Sequence, residues 1–155
     1  MAISPHLARL RAVIGHELIQ LPSVAVIVVD DDGRLLLVRH TGNQNGWAVP
    51  GGAVDIGESA AEAAVREMRE EIGVQIGQPR LLDVLGGADY EVTYANGDRV
   101  AYVPAVYEAG IVDGAPVPDQ EEVSELDWFT PLQLQSADLN RFSRALLRAT
   151  GHLAS

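Results

Sequence analysis

The sequence predicts an α/β fold in one domain, with helices sandwiching a mixed β-sheet, and three observations predict it. The chain has 155 residues, enough for one domain with its own hydrophobic core. Apolar residues make up 47% and charged residues 21%, the balance of an ordinary globular protein. Strand and helix patterns are interspersed without regular β-α-β alternation, which favours a mixed sheet over a doubly wound parallel one.

Taken in order, Leu7, Leu10, Ile14 and Leu18 recur at helical spacing among Arg9, Arg11, His16 and Glu17. They predict an amphipathic helix ending before Pro22, so that residues 1–21 form an N-terminal helix and a candidate appendage to a domain spanning 1–155. Residues 24–29 are a continuous apolar run rich in β-branched side chains, predicting a buried strand. Asp31-Asp32-Gly33 marks a turn into a second strand over 34–39. Residues 42–57 are rich in Gly and Asn, predicting a loop with a short strand over 47–49. The strongest helix runs over 58–72, with Ser59 as N-cap, Glu62 three residues on as in a capping box, and Gly73 as the stop. Strands are predicted over 80–85, 90–94 and 99–109, the last two joined by an Asn96-Gly97 turn. A short strand over 127–129 and helices over 131–134 and 139–149 close the chain.

Bulk chemistry excludes several functions. The formal charge of −11, from 11 basic and 22 acidic side chains, opposes a binder of nucleic-acid polymers, which needs a basic face. The absence of cysteine excludes disulfides and thiol catalysis. No apolar run approaches the ~18 residues of a membrane span, and the first residues lack a secretory pattern. A cytoplasmic protein without membrane partners is therefore expected.

The informative stretch is residues 52–74, GAVDIGESAAEAAVREMREEIGV. On a helical wheel Ala61, Ala64, Val65, Met68 and Ile72 form a core stripe, and Glu67, Glu70 and Glu71 form an acidic one at i, i+3 and i+4. Like charges that close repel, and Glu70 and Glu71 also lie at the helix C-terminus, where the macrodipole disfavours anions. Arg66 and Arg69 supply part of a compensating charge, and a divalent ion held by oxygen ligands would supply more. The plainer alternative is a solvated acidic face.

The spacing resembles the Nudix box: Gly, five residues, Glu, seven residues, Arg-Glu, an apolar residue, any residue, Glu-Glu, any residue, Gly, and an apolar residue. Gly52, Glu58, Arg66, Glu67, Met68, Glu70, Glu71, Gly73 and Val74 occupy those places, and Trp47-Ala48-Val49-Pro50-Gly51 resembles the approach to the box. Residues used at about 7% or less each, required at seven positions, make a chance match on the order of one in a million. The resemblance implies a Nudix-type α/β/α sandwich and a hydrolase that cleaves a phosphoanhydride bond in a nucleoside diphosphate linked to another group. It implies Mg²⁺ or Mn²⁺ held by Glu67, Glu70, Glu71 and the Gly52 carbonyl, with the same glutamates catalytic and Glu67 favoured as base. Glu58 and Arg66 would form an ion pair holding the loop to the helix. A homodimer is a further expectation, because many members of the family are dimers.

Outside the box, Arg39 at a strand end is a candidate phosphate contact or an exposed arginine. Trp47 would stack on a base or pack beneath the loop. Tyr90, 16 residues past the box, resembles a tyrosine of family members acting on dinucleoside polyphosphates, although packing explains it equally. The acidic run Asp119, Glu121, Glu122, Glu125, Asp127 falls where some family members carry an extra metal-site carboxylate, here Glu121 or Glu122. The loops at 42–46 and 86–89, with the N-terminal helix, are expected to shape the pocket or a subunit contact. The competing function is a catalytically silent nucleotide-binding module of the same fold; members of that kind usually lose box glutamates, which this chain retains.

Overall fold

The computed structural model describes residues 3–42 and 46–154, so the middle of the predicted pocket loop, 43–45, lies outside the described residues. The order is α1 (Pro5–Ile14), β1 (Ile19–Val28), β2 (Leu35–His40), β3 (Gly51–Ala53), α2 (Ala60–Ile72), β4 (Gln75–Ile76) and β5 (Arg80–Val84). A 3₁₀ turn (Ala88–Tyr90) then leads to β6 (Glu91–Thr93), β7 (Arg99–Ala109), β8 (Ile111–Asp113), β9 (Val123–Phe129), α3 (Pro131–Gln135) and α4 (Arg141–Ala149).

The sheet is mixed, as predicted. β1 runs parallel to β7 from Ile19↔Val100 to Val28↔Ala109, while β3 pairs with β1 antiparallel and β5 and β6 pair with β7 antiparallel. The order is β3-β1-β7-β5, with β2-β9 and β4-β8 as separate pairs. Because successive side chains of a strand point to opposite faces, β1 serves two cores. Val24, Val26 and Val28 pack with Met68 and Ile72 of α2, whereas Ala25 and Ile27 pack with Leu146 and Leu147 of α4. β2 splits in the same way, Leu36 and Val38 facing one cluster and Leu35 and Leu37 the other. Helices therefore cover both faces, giving the α/β/α sandwich.

Local chemistry sets the ends of α2. Ser59 accepts from the Glu62 amide while Glu62 accepts from the Ser59 amide, and Gly73 ends the helix in the left-handed region at φ 69°. The Asn96-Gly97 turn closes β6 onto β7, with Gly97 N–H donating to the Tyr94 carbonyl at 2.9 Å.

Several predicted boundaries are corrected. The N-terminal helix stops at Gly15, with φ 63°, and does not run on to Pro22. Leu18 lies outside it, and residues 19–22 are strand because β7 offers them a partner that local periodicity cannot reveal. No residue of α1 is buried, and Arg11 ties the helix to the body by donating to the carbonyls of Gly15, Glu17 and Arg99. The short strand predicted over 47–49 is instead a pair of bridges, Trp47 to Leu139 and Ala48 to Val38, and the true strand follows Pro50. Tyr90 ends a 3₁₀ turn, so the next strand begins at Glu91. The strand predicted over 127–129 extends back to Val123 because it pairs with β2. No helix among the described residues is long and apolar enough to cross a membrane.

Candidate active site

The buried face of α2 comprises Ala63, Ala64, Glu67, Met68, Glu71 and Ile72. It is rotated from the predicted stripe: Ala61 and Val65 are only partly buried, and two glutamates turn inward. The reason lies in β3. A methyl group on Gly52 would stand 2.4 Å from Glu67 Oε1, so the missing side chain of Gly52 makes the space in which the Glu67 carboxylate rests.

Glu67 is 2% exposed and Glu71 is fully buried. Oε2 of Glu67 and both carboxylate oxygens of Glu71 have no hydrogen-bond donor among the described residues. Glu122, from the segment before β9, completes a cluster in which one carboxylate oxygen from each of Glu67, Glu71 and Glu122 lies within 4.8 Å of the others. Burial raises the Glu71 pKa well above the ordinary carboxylate value, and the adjacent Glu67 carboxyl and the charges of Glu67, Glu122 and Asp119 raise it further. Burial also raises Glu67 and Glu122. Adjacent carboxylates so poorly hydrated must share a proton or a cation. The orphaned oxygens and the all-oxygen donor set fit a hard divalent cation.

Arg66 organises the surroundings. Its Nε donates to Glu58 Oε2 at 2.6 Å and its Nη2 to Glu58 Oε1 at 2.9 Å, a bidentate pair. Nη2 also donates to the Ala53 carbonyl at 3.1 Å, and Nη1 donates to Glu67 Oε1 at 3.0 Å and Glu70 Oε2 at 3.2 Å. One guanidinium thus joins the loop before α2 to two glutamates on it. The hydrogen bonds from Arg66 hold the Glu58 carboxyl below its usual pKa. Asp55, 3.6 Å from Arg66, and the Ala53 carbonyl were not singled out from sequence; a backbone acceptor leaves no mark there.

The remaining candidates divide. Glu70 sits at the rim, its side chain 53% exposed and paired with Arg66, outside the converging triad. Of the two loop carboxylates only Glu122 joins the cluster; Glu121 is exposed, and its carbonyl accepts from the Thr41 hydroxyl. Arg39 lies 3.3 Å from Glu125 and stacks with its guanidinium 4.6 Å from the centre of the Trp47 ring. Trp47 in turn meets Phe129 edge-on at 5.2 Å. Tyr90 is buried against Phe142, ring centres 5.1 Å apart, in the core on the α4 side of the sheet. The glutamates lie on the α2 side, so Tyr90 is not brought to them.

A family model described as the NUDIX domain matches residues 20–150, leaving α1 before the matched range. An RNA pyrophosphohydrolase of Teredinibacter turnerae is 38% identical over 66 residues, 43% of this chain and 39% of that protein. The match thus spans about two fifths of that relative's length. The nucleoside triphosphatase NudI of Escherichia coli is 29% identical over 133 residues, covering 81% of this chain and 94% of that one. Among solved structures, a MutT NUDIX hydrolase from Burkholderia pseudomallei superposes with a TM-score of 0.69 at 30% identity, covering 83% of this chain and 96% of that chain. With the complete box running from β3 through α2 and the same fold beneath it, the chain belongs to the NUDIX domain family, the family of this hydrolase neighbour.

Proposed function

We propose that the protein hydrolyses a phosphoanhydride bond in a nucleoside diphosphate that carries a further group, using Mg²⁺ or Mn²⁺ held by Glu67, Glu71 and Glu122. The observation that carries this reading is the convergence of three carboxylate oxygens within 4.8 Å, where two of the carboxyls are buried and leave oxygens without donors among the described residues. Glu70, which shares Arg66 with Glu67, and the carbonyl of Gly52, the residue against which the Glu67 carboxylate rests, are proposed as further ligands. When bound, such a cation supplies neutralisation of phosphoryl charge and acidification of water.

The chain's own residues do the rest. Arg66 holds Glu67 by one oxygen, and Glu58 holds Arg66 bidentately, so the Glu67 carboxylate has a set orientation. Glu67 Oε2, which accepts no hydrogen bond among the described residues, is the atom proposed to take the proton of the attacking water. The Arg39–Trp47 stack, a cation beside an aromatic face, suits a phosphate next to a base and is the proposed substrate contact. Tyr90, buried against Phe142, has no part in it. The substrate class is a small nucleotide. Nucleoside triphosphates are the first to test, because the relative matched over most of its length is named a nucleoside triphosphatase.

The test is incubation with Mg²⁺ or Mn²⁺ and a panel of nucleoside triphosphates, ADP-ribose and dinucleoside polyphosphates, with chromatographic detection of nucleoside monophosphate. Metal-dependent release that disappears in Glu67→Gln and Glu71→Gln is expected. Nucleotide binding without turnover across the panel would instead make the protein a binding module.

A further inference from the structure

We propose that Asp119 is the positioning residue that sets Glu122 against Glu67 and Glu71; the inference rests on the reading of those three carboxylates as a cation site. Glu122 lies 51 residues beyond Glu71, and no regular element carries it to the site, because β9 begins only at Val123. The Thr41 N–H holds its carbonyl at 2.9 Å, continuing the β2–β9 pairing, and the turn before that strand sets the other side of the residue.

Asp119 builds that turn. Its Oδ1 accepts three consecutive backbone N–H groups, from Glu121 at 3.1 Å, Glu122 at 3.0 Å and Val123 at 2.8 Å. A carboxylate that accepts several amides makes charge-assisted bonds, stronger than neutral ones. The turn is closed from the other side by Gln120 N–H donating to the Val123 carbonyl at 2.9 Å. Gln120 takes φ 67°, the left-handed region that a side chain disfavours, and is the single non-glycine residue in that region among the described residues. A conformation of that kind persists only where the surrounding bonds impose it.

Asp119 also fastens the turn to α2. Its own N–H donates to the Glu71 carbonyl at 3.1 Å, and Val117 N–H donates to the Ile72 carbonyl at 3.0 Å. These are carbonyls of the last helical turn, which have no partner within the helix. One residue therefore bonds the backbone of Glu71 through its amide and the backbone of Glu122 through its carboxylate. The two ligand-bearing segments are joined through a single residue, its backbone amide on one and its carboxylate on the other.

Two substitutions separate this role from the charge that Asp119 adds to the cluster. Asp119→Asn removes the charge but keeps an oxygen acceptor; Asp119→Ala removes both. Hydrogen exchange in EDTA reads the turn without any cation. The amides of 121–123 should exchange at least tenfold faster in Asp119→Ala and near the wild-type rate in Asp119→Asn, with the α2 amides still protected in both. Mn²⁺ titration calorimetry reads the consequence. Affinity should fall about 10- to 100-fold in Asp119→Ala, by a similar factor in Glu122→Gln, and within about threefold in Asp119→Asn. The double variant Asp119→Ala/Glu122→Gln should bind no more weakly than the weaker single variant. Unchanged exchange at 121–123 in Asp119→Ala overturns the proposal, and so does an Asp119→Asn protein as impaired as Asp119→Ala. If wild type takes up no Mn²⁺ while the exchange pattern appears as expected, the cation reading falls and the role of Asp119 in holding the turn stands.

Discussion

Replacing Gly52 with alanine is the smallest change that tests the site. The new methyl would stand 2.4 Å from Glu67 Oε1 and 2.7 Å from its Cδ. Non-bonded heavy atoms settle about 3.5–4.0 Å apart, so the carboxylate has to retreat by about 1 Å. That movement draws Glu67 Oε1 away from Arg66 Nη1, its donor at 3.0 Å. A misplacement of about 1 Å near a reacting centre costs on the order of 10²-fold in rate. The fold itself should tolerate the change. Gly52 does not need the left-handed region, the displaced group is a side-chain tip, and fewer unfolded conformations add back about 0.4–1 kcal/mol. Gly51→Ala provides the contrast: its methyl would stand 2.0 Å from the Val24 carbonyl oxygen, forcing β3 off β1 at the Ala25↔Gly51 pair. Overpacking against backbone costs about 1–3 kcal/mol or more. Calorimetric Mn²⁺ binding, turnover and thermal melts separate the two variants. Gly52→Ala should keep its melting temperature within a few degrees and lose turnover about a hundredfold, whereas Gly51→Ala should melt lower. A Gly52→Ala protein with wild-type turnover and Mn²⁺ affinity would refute the placement of Glu67.

Arg66→Lys should lose the bidentate hold on Glu58 and weaken the tether to Glu67, lowering stability by about 1–3 kcal/mol and reducing turnover as well; denaturant titration and kinetics check both, and an unaltered midpoint refutes it. The folded-state pKa of Glu71 is raised, chiefly by burial, so its protonated form stabilises the cation-free fold below the ordinary carboxylate pKa, and that stability is lost as pH rises through the raised value. Glu71→Gln in EDTA should therefore melt higher than wild type at pH 8, with the gap closing toward pH 4; a variant less stable at pH 8 contradicts the assignment. Tyr90→Phe should change turnover by less than about twofold, while Tyr90→Ala should lose about 3–5 kcal/mol through the cavity left beside Phe142; a large kinetic loss in Tyr90→Phe would place substrate against the Tyr90 hydroxyl.

How far the sequence reached depended on the range of the interaction. Ser59, Glu62 and Gly73 act within one turn of α2, and they marked its ends because capping and the left-handed stop are local chemistry. The Asn96-Gly97 turn and the parting of α1 from β1 at Gly15 are local too, although the apolar rhythm through Leu18 concealed the second. The spacing of Glu67, Glu70 and Glu71 determined that three carboxylates share a stretch of helix and identified the family resemblance. It did not determine how the helix would be turned. That was decided by β3, where Gly52 leaves room for Glu67, so that Glu67 and Glu71 face inward and Glu70 stays at the rim. The resemblance offered Glu121 or Glu122, and tertiary structure chose Glu122, because its approach depends on β9 pairing with β2 and on the Asp119 turn bonded to α2. Tyr90 differs for the same reason: residue spacing gives distance along the chain, but the sheet decides which face a side chain occupies, and Tyr90 fell on the face opposite the carboxylates. Sequence thus determined which chemical groups the chain carries and the helix that bears three of them; the non-local pairing of strands decided which of those groups meet.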